Sequence, residues 1–143
     1  MAEADPFEAM QLLARRTAEA VRASEDAAAQ VYGQAIKAAA PRKTGQLARS
    51  VEIFESVNRK ALTGDARRRL LVGPSKRRGF YGYFIDRGWN ATGRAKRRVG
   101  RTSGRRIIGT GWFTRAVAGA DAQAVTAAEA AFTSKMQEIN SRI

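Results

Sequence analysis

The chain has 143 residues, with 26 Lys and Arg against 13 Asp and Glu, and contains neither His nor Cys. That inventory excludes an imidazole base, a thiolate nucleophile, His- or thiolate-bound zinc and any disulfide. The formal charge of +13 is localised: residues 1–40 carry −2, residues 41–111 carry +15 and residues 112–143 carry 0.

Length suits one domain, 1–143, divided by pattern into an N-terminal helix (1–40), a short helix and β-sheet (41–88), a basic loop (89–110) and a C-terminal helix (111–143). The first segment opens with Asp5, Pro6 and Glu8, a cap, first-turn proline and acid three residues beyond the cap, as helix starts use. Phe7, Met10, Ala14, Thr17, Val21, Ser24, Ala28, Val31, Ala35 and Ala38 then repeat at steps of three and four, which predicts one apolar stripe. A helix of 35 residues spans about 50 Å, more than a small core covers, so it projects or packs on another subunit. The alternative is two helices broken near residues 23–29. Pro41 ends the segment in either case.

Beyond Pro41 the period changes. Thr44 can cap a helical turn over residues 45–50, and Val51, Ile53 and Val57 alternate with Glu52 and Phe54 as a strand does. A second strand fits residues 68–72, closed by Gly73 and Pro74, with Thr63, Gly64 and Asp65 as turn residues between the two. Phe80, Tyr81, Phe84 and Ile85 have helical spacing, while Tyr81, Tyr83 and Ile85 alternate, so this stretch fits helix or strand. Residues 89–106 are almost without apolar side chains and read as a long basic loop. From Phe113 a second stripe of Ala116, Val117, Ala120, Ala124, Ala128, Ala131, Phe132, Met136 and Ile139 predicts an amphipathic helix whose small residues suit close packing on the first. The expected class is α+β: a long N-terminal helix, a small antiparallel β-sheet, a long basic loop and a C-terminal amphipathic helix.

Of the 44% hydrophobic residues, 28 are Ala, and Leu, Ile, Val and Phe together number 27. That lies just under the roughly one-fifth level at which a highly charged chain tends to disorder. Either part of the chain is unfolded alone, or neighbours in an assembly supply the missing burial. Residues 1–5 are acidic and no long apolar run occurs, so neither a secretory leader nor a membrane span is expected.

Chemistry has few candidates. Glu52, Glu55, Asp65 and Asp86 are the only acids of the middle block, and their spacing gives no reason to converge on metal ions. Gly73, Pro74, Ser75 and Lys76 lack the spacing of a phosphate-binding loop. No catalytic, metal or cofactor site is expected. The basic runs are the strongest signal: Arg94, Lys96, Arg97, Arg98, Arg101, Arg105 and Arg106 hold seven cations in 13 residues, preceded by Lys76, Arg77 and Arg78 and by Arg67, Arg68 and Arg69. Such density fits contact with nucleic acid or an acidic protein face, against the plainer reading of a solvated loop. No zinc finger, basic zipper or helix-turn-helix pattern accompanies it. The aromatics Phe80, Tyr81, Tyr83, Phe84, Trp89, Trp112 and Phe113 read first as core and second as base-stacking groups.

The run Pro41-Arg42-Lys43-Thr44-Gly45-Gln46-Leu47-Ala48-Arg49-Ser50-Val51, following a long helix, resembles the Pro-x-x-Thr-Gly-x-Leu-x-x-Ser signature of tail-completion or head–tail joining proteins of long-tailed, lambda-like phages. Leu71-Val72-Gly73, Tyr81-Gly82-Tyr83-Phe84-Ile85-Asp86-Arg87-Gly88 and Gly111-Trp112-Phe113-Thr114-Arg115-Ala116 follow in the family's order. Departures fall at Asp86, where Glu is usual, at Trp89, where Thr commonly follows the glycine, and before Phe113, where Pro is often found.

The resemblance implies a non-enzymatic virion protein of the neck or tail top, made in the host cytoplasm. It would assemble as a homo-oligomeric ring with other neck and tail proteins around packaged double-stranded DNA. Pro41, Thr44, Gly45, Leu47, Ser50, Tyr81, Phe84, Asp86, Gly88, Trp112 and Phe113 would then be capping and packing residues. The alternative is a nonspecific nucleic-acid-binding protein, chromatin- or ribosome-associated, acting through the Arg-rich loop.

Overall fold

A computed structural model describes residues 6–43, 45–57, 68–91 and 105–142. Helix α1 (Pro6–Ala39) runs unbroken through residues 23–29, so the single-helix reading holds. A short turn of helix, α2 (Gln46–Arg49), leads into strand β1 (Val51–Val57), which pairs antiparallel with β2 (Arg68–Pro74) from Val51↔Pro74 to Val57↔Arg68. Helix α3 (Tyr81–Arg87) resolves the ambiguous aromatic stretch as helical. Strands β3 (Gly88–Ala91) and β4 (Arg105–Ile108) form a second antiparallel pair, and α4 (Trp112–Ser141) completes the chain. The architecture is α+β.

The basic loop is corrected at both ends. Residues 88–91 and 105–108 pair as strands, Gly88 with Ile108 and Ala91 with Arg105, although their composition lacks a clear alternating pattern. Backbone pairing does not require apolar side chains, and a four-residue strand leaves little periodicity to detect. The rest of that loop, including Arg94, Lys96, Arg97, Arg98 and Arg101, lies outside the described residues, as do Thr44, Asp65 and Arg67.

The core sits where the end of α1 meets the start of α4. Ile36, Ala40, Leu47, Val51 and Trp112 are each at most 5% exposed, with Tyr32, Val72, Tyr81, Ile85, Phe113, Ala116 and Val117 packed around them. From this corner α1 and α4 run side by side, antiparallel, through the most extensive contact in the molecule. Further along the pair Ala20 and Ala124 are buried, as is Ile139 near the end of α4. A Tyr32 hydroxyl donates to Asp121 Oδ1 across the helices at 2.8 Å.

The two predicted stripes fare differently. On α4 every stripe residue from Phe113 to Ile139 is buried or half-buried. On α1 the stripe is half-buried at Thr17, Ser24, Ala28, Val31 and Ala35, whereas Phe7, Met10, Ala14, Val21 and Ala38 are exposed. The fully buried row is Ala29, Gly33, Ile36 and Ala40, on an adjacent face where α1 passes the side chains of Ile53 and Val72 beside Gly33. Two neighbours, α4 and the β1–β2 pair, divide the C-terminal half of α1 between them, and a one-stripe pattern does not anticipate that.

Candidate functional site

Helix α3 and the first turns of α4 are tied together by backbone and side-chain bonds. Thr110 N donates to Ile85 O at 2.8 Å and Gly111 N to Asp86 O at 3.0 Å. Gly111 then turns the chain at φ 63°, a left-handed conformation that suits glycine, and has no side chain with which to cap the helix it starts. Asp86 supplies the cap from α3. Its Oδ1 accepts from Phe113 N at 2.8 Å and Thr114 N at 3.4 Å, and its Oδ2 accepts from the Thr114 hydroxyl at 3.1 Å. A carboxylate there satisfies otherwise unpaired amides and faces the positive end of the α4 dipole. The indole of Trp112 donates to Gly82 O at 3.3 Å. Such close approach needs Gly82, since a Cβ there would lie 2.8 Å from Leu47 Cδ1.

Between these elements lies an open groove of about 820 Å³, floored by Trp112, Phe113 and Val117 and walled by Phe80, Tyr83 and Phe84. The floor is core, as expected of the aromatics. The wall is not: Phe80, Tyr83 and Phe84 are 64%, 60% and 43% exposed. Phe84, expected as packing, makes an edge contact with Tyr83, over whose ring the Arg87 guanidinium sits at 5.3 Å. Lys76 and Arg87 line the same groove with Asp86 and Asp121.

The basic run Lys76, Arg77 and Arg78 stands on a tight turn. Ser75 N donates to Ser50 O, Gly79 N to Ser75 O and Arg78 N to Ser75 Oγ, at 2.8, 2.8 and 3.3 Å. Buried Ser50, whose hydroxyl donates to Leu47 O at 2.7 Å, fixes this turn to the end of α2. Lys76, Arg77 and Arg78 are thus exposed cations on a hydrogen-bonded base. A second concavity of about 720 Å³ lies beside them, lined by Phe54, Leu71 and Val72.

The expected packing residues Leu47, Ser50 and Trp112 are buried, and Pro41, Gly45, Tyr81, Asp86, Gly88 and Phe113 are half-buried. Arg105 and Arg106 lie on β4. Glu52 and Glu55 sit exposed on β1, apart from Asp86 on α3, and no group of acids among the described residues is placed to hold a metal ion. No described helix is long and apolar enough to cross a membrane. Sequence reasoning missed the reach of Asp86 to α4. The signal was a Gly before Trp112-Phe113-Thr114, a helix start with no capping side chain of its own.

The described residues thus form a helical scaffold with open apolar surfaces and a hydrogen-bonded basic turn. Residues 8–88 match the family model described as "Bacteriophage HK97-gp10, putative tail-component". The chain belongs to this HK97-gp10-like family of phage tail components. The match includes the Pro41–Ser50 and Tyr81–Gly88 motifs, while the Gly111–Ala116 motif lies beyond it. No match was found among curated proteins or among solved structures.

Proposed function

We propose that this tail component completes or joins the tail at the virion neck, as a non-enzymatic ring subunit around the DNA channel. The family match over residues 8–88 carries the reading. Two physical features support it. Large apolar side chains stand exposed at both ends of the α1–α4 pair, as expected of a subunit that gains burial from neighbours. The charge of +15 in residues 41–111 suits sequence-independent contact with packaged double-stranded DNA.

In this reading Lys76, Arg77, Arg78, Arg94, Lys96, Arg97, Arg98, Arg101, Arg105 and Arg106 face DNA, and the motif residues cap and pack the subunit. The test is electron microscopy of lysates in which the gene has been disrupted. DNA-filled heads beside unjoined or defective tails are expected; normal infectious particles would overturn the assignment. Replacing the cations of residues 94–106 with Gln is expected to spare assembly and impair DNA retention or passage. Unchanged behaviour would remove DNA from the role of that segment.

A further inference from the structure

We propose that residues 75–79 form a pre-set phosphate contact, in which Ser75 and Gly79 are positioning residues that hold Arg77 and Arg78, with Lys76 beside them, against the DNA backbone. The proposal rests on the reading of a DNA-facing neck subunit and adds to it how one group of cations is placed. Lys76, Arg77 and Arg78 are exposed, while Ser75 and Gly79 on either side of them are buried. Ser75 accepts twice, at its carbonyl from Gly79 N at 2.8 Å and at its hydroxyl from Arg78 N at 3.3 Å. Its own amide donates to Ser50 O at 2.8 Å, and Gly79 O accepts from Gly82 N of α3 at 2.9 Å. Gly79 has no space for a side chain, since a Cβ there would overlap Ser50 Oγ and lie 2.5 Å from Pro74 Cβ. The turn is thus fastened to α2 on one side and to α3 on the other.

Adjacent cations repel one another, and a chain free to move spreads them apart. This turn keeps them together before any ligand arrives, which lowers the ordering cost of binding. Among the described residues lining the adjoining concavity, the three cations stand with one carboxylate, Glu52. Lys76 also borders the α3–α4 groove, where Asp86 and Asp121 offset it and Arg87, so Arg77 and Arg78 carry the greater part of the contact. The excess of +15 extends over residues 41–111, which fits a long polymer of phosphates better than a single acidic patch on a protein. Such contacts set position on DNA and carry no sequence information.

Fluorescence anisotropy of the full chain with a mixed-sequence DNA duplex, from about 50 to 200 mM salt, tests this. Arg77→Gln/Arg78→Gln is expected to weaken binding and to reduce the slope of log affinity against log salt by about 1.8, the value for two phosphates. Ser75→Ala and Gly79→Ala keep all 26 Lys and Arg, yet are expected to weaken binding several-fold and lower the slope. Ser75→Thr, which retains the acceptor, is expected to restore both, and it carries the comparison with Ser75→Ala if circular dichroism shows Gly79→Ala unfolded. Arg42→Gln/Lys43→Gln removes the same charge from exposed positions outside the turn and is expected to bind close to wild type. Wild-type binding by Arg77→Gln/Arg78→Gln would overturn the proposal and leave DNA contact to other cations. Wild-type binding by folded Ser75→Ala, or an equal loss in Arg42→Gln/Lys43→Gln, would overturn it by showing that charge acts without placement. A loss confined to a polyglutamate peptide, with duplex binding intact, would assign the turn to an acidic protein instead and overturn it. A wild-type chain that binds no duplex would overturn the DNA-facing reading and this contact with it.

Discussion

At the corner where α1 ends and α4 begins, Ile36, Leu47, Val51 and Trp112 are between 1% and 5% exposed, whereas toward the other end of α1 Met10 and Leu13 are 66% and 58% exposed. Between these extremes the helices meet largely through Ala, at Ala20, Ala29, Ala120 and Ala124. Alanine lets helices approach closely but buries little apolar area, and each Å² removed from water contributes only about 25 cal/mol. The fully buried large side chains are thus gathered mainly at the corner, whereas Met10 and Leu13 near the start of α1 face outward. The difference teaches that a chain poor in large apolar residues can still gather a tight apolar corner while leaving apolar side chains exposed elsewhere.

The sharpest way to break the comparison is to truncate both regions. Trp112→Ala removes the largest side chain of the corner and its bond to Gly82 O, and is expected to cost about 3–5 kcal/mol in urea denaturation. Asp86→Ala uncaps α4 from a distance and is expected to cost about 1–2 kcal/mol, with Asp86→Asn recovering part of the loss; equal stability of all three chains would contradict the capping role.

A smaller effect is expected at Tyr32. Its hydrogen bond to Asp121, with burial and the carboxylate's charge, raises the phenol above its ordinary value near 10. The folded chain therefore holds this proton more tightly than the unfolded one. The resulting stability is complete below about pH 10 and is lost as pH rises through the folded value. Thermal melts from pH 8 to 11 are expected to show a shallower alkaline decline in Tyr32→Phe than in wild type. The smallest effect belongs to the far end: Leu13→Ser is expected to change monomer stability by no more than about 0.5 kcal/mol, measured in the same urea titration. A loss comparable to Trp112→Ala would mean that this end is packed after all.

Much of this was legible in sequence because local rules and tertiary structure agreed. Pro6 and Pro41 bracket α1, and the α4 stripe coincides with its covered face because one principal neighbour, α1, packs against it. Where two neighbours compete, the reading slipped by about one position, from Ala28, Val31 and Ala35 to Ala29, Gly33 and Ile36. The β3–β4 pair escaped because Gly88, Asn90, Arg105 and Arg106 carry no alternating apolar signal. At the candidate site, buried Trp112 and Leu47 were foreseeable from apolar character. The groove was not, since exposure of Phe80 and Tyr83 depends on how α3 is fastened to α4 by Asp86, Thr110 and Trp112. The exposed cations at 76–78 were evident from charge alone, but their hydrogen-bonded base required the contact between Ser75 and Ser50.

Native-state hydrogen exchange, followed by mass spectrometry on dilute chain and on assembled particles, tests the division of labour most directly. Amides of residues 29–40 are expected to be protected in both samples, while those of residues 8–20 exchange early in the dilute chain and become protected on assembly. Equal and strong protection of both segments in the dilute chain, or no gain at residues 8–20 on assembly, would contradict the view that one end folds the subunit and the other awaits a neighbour.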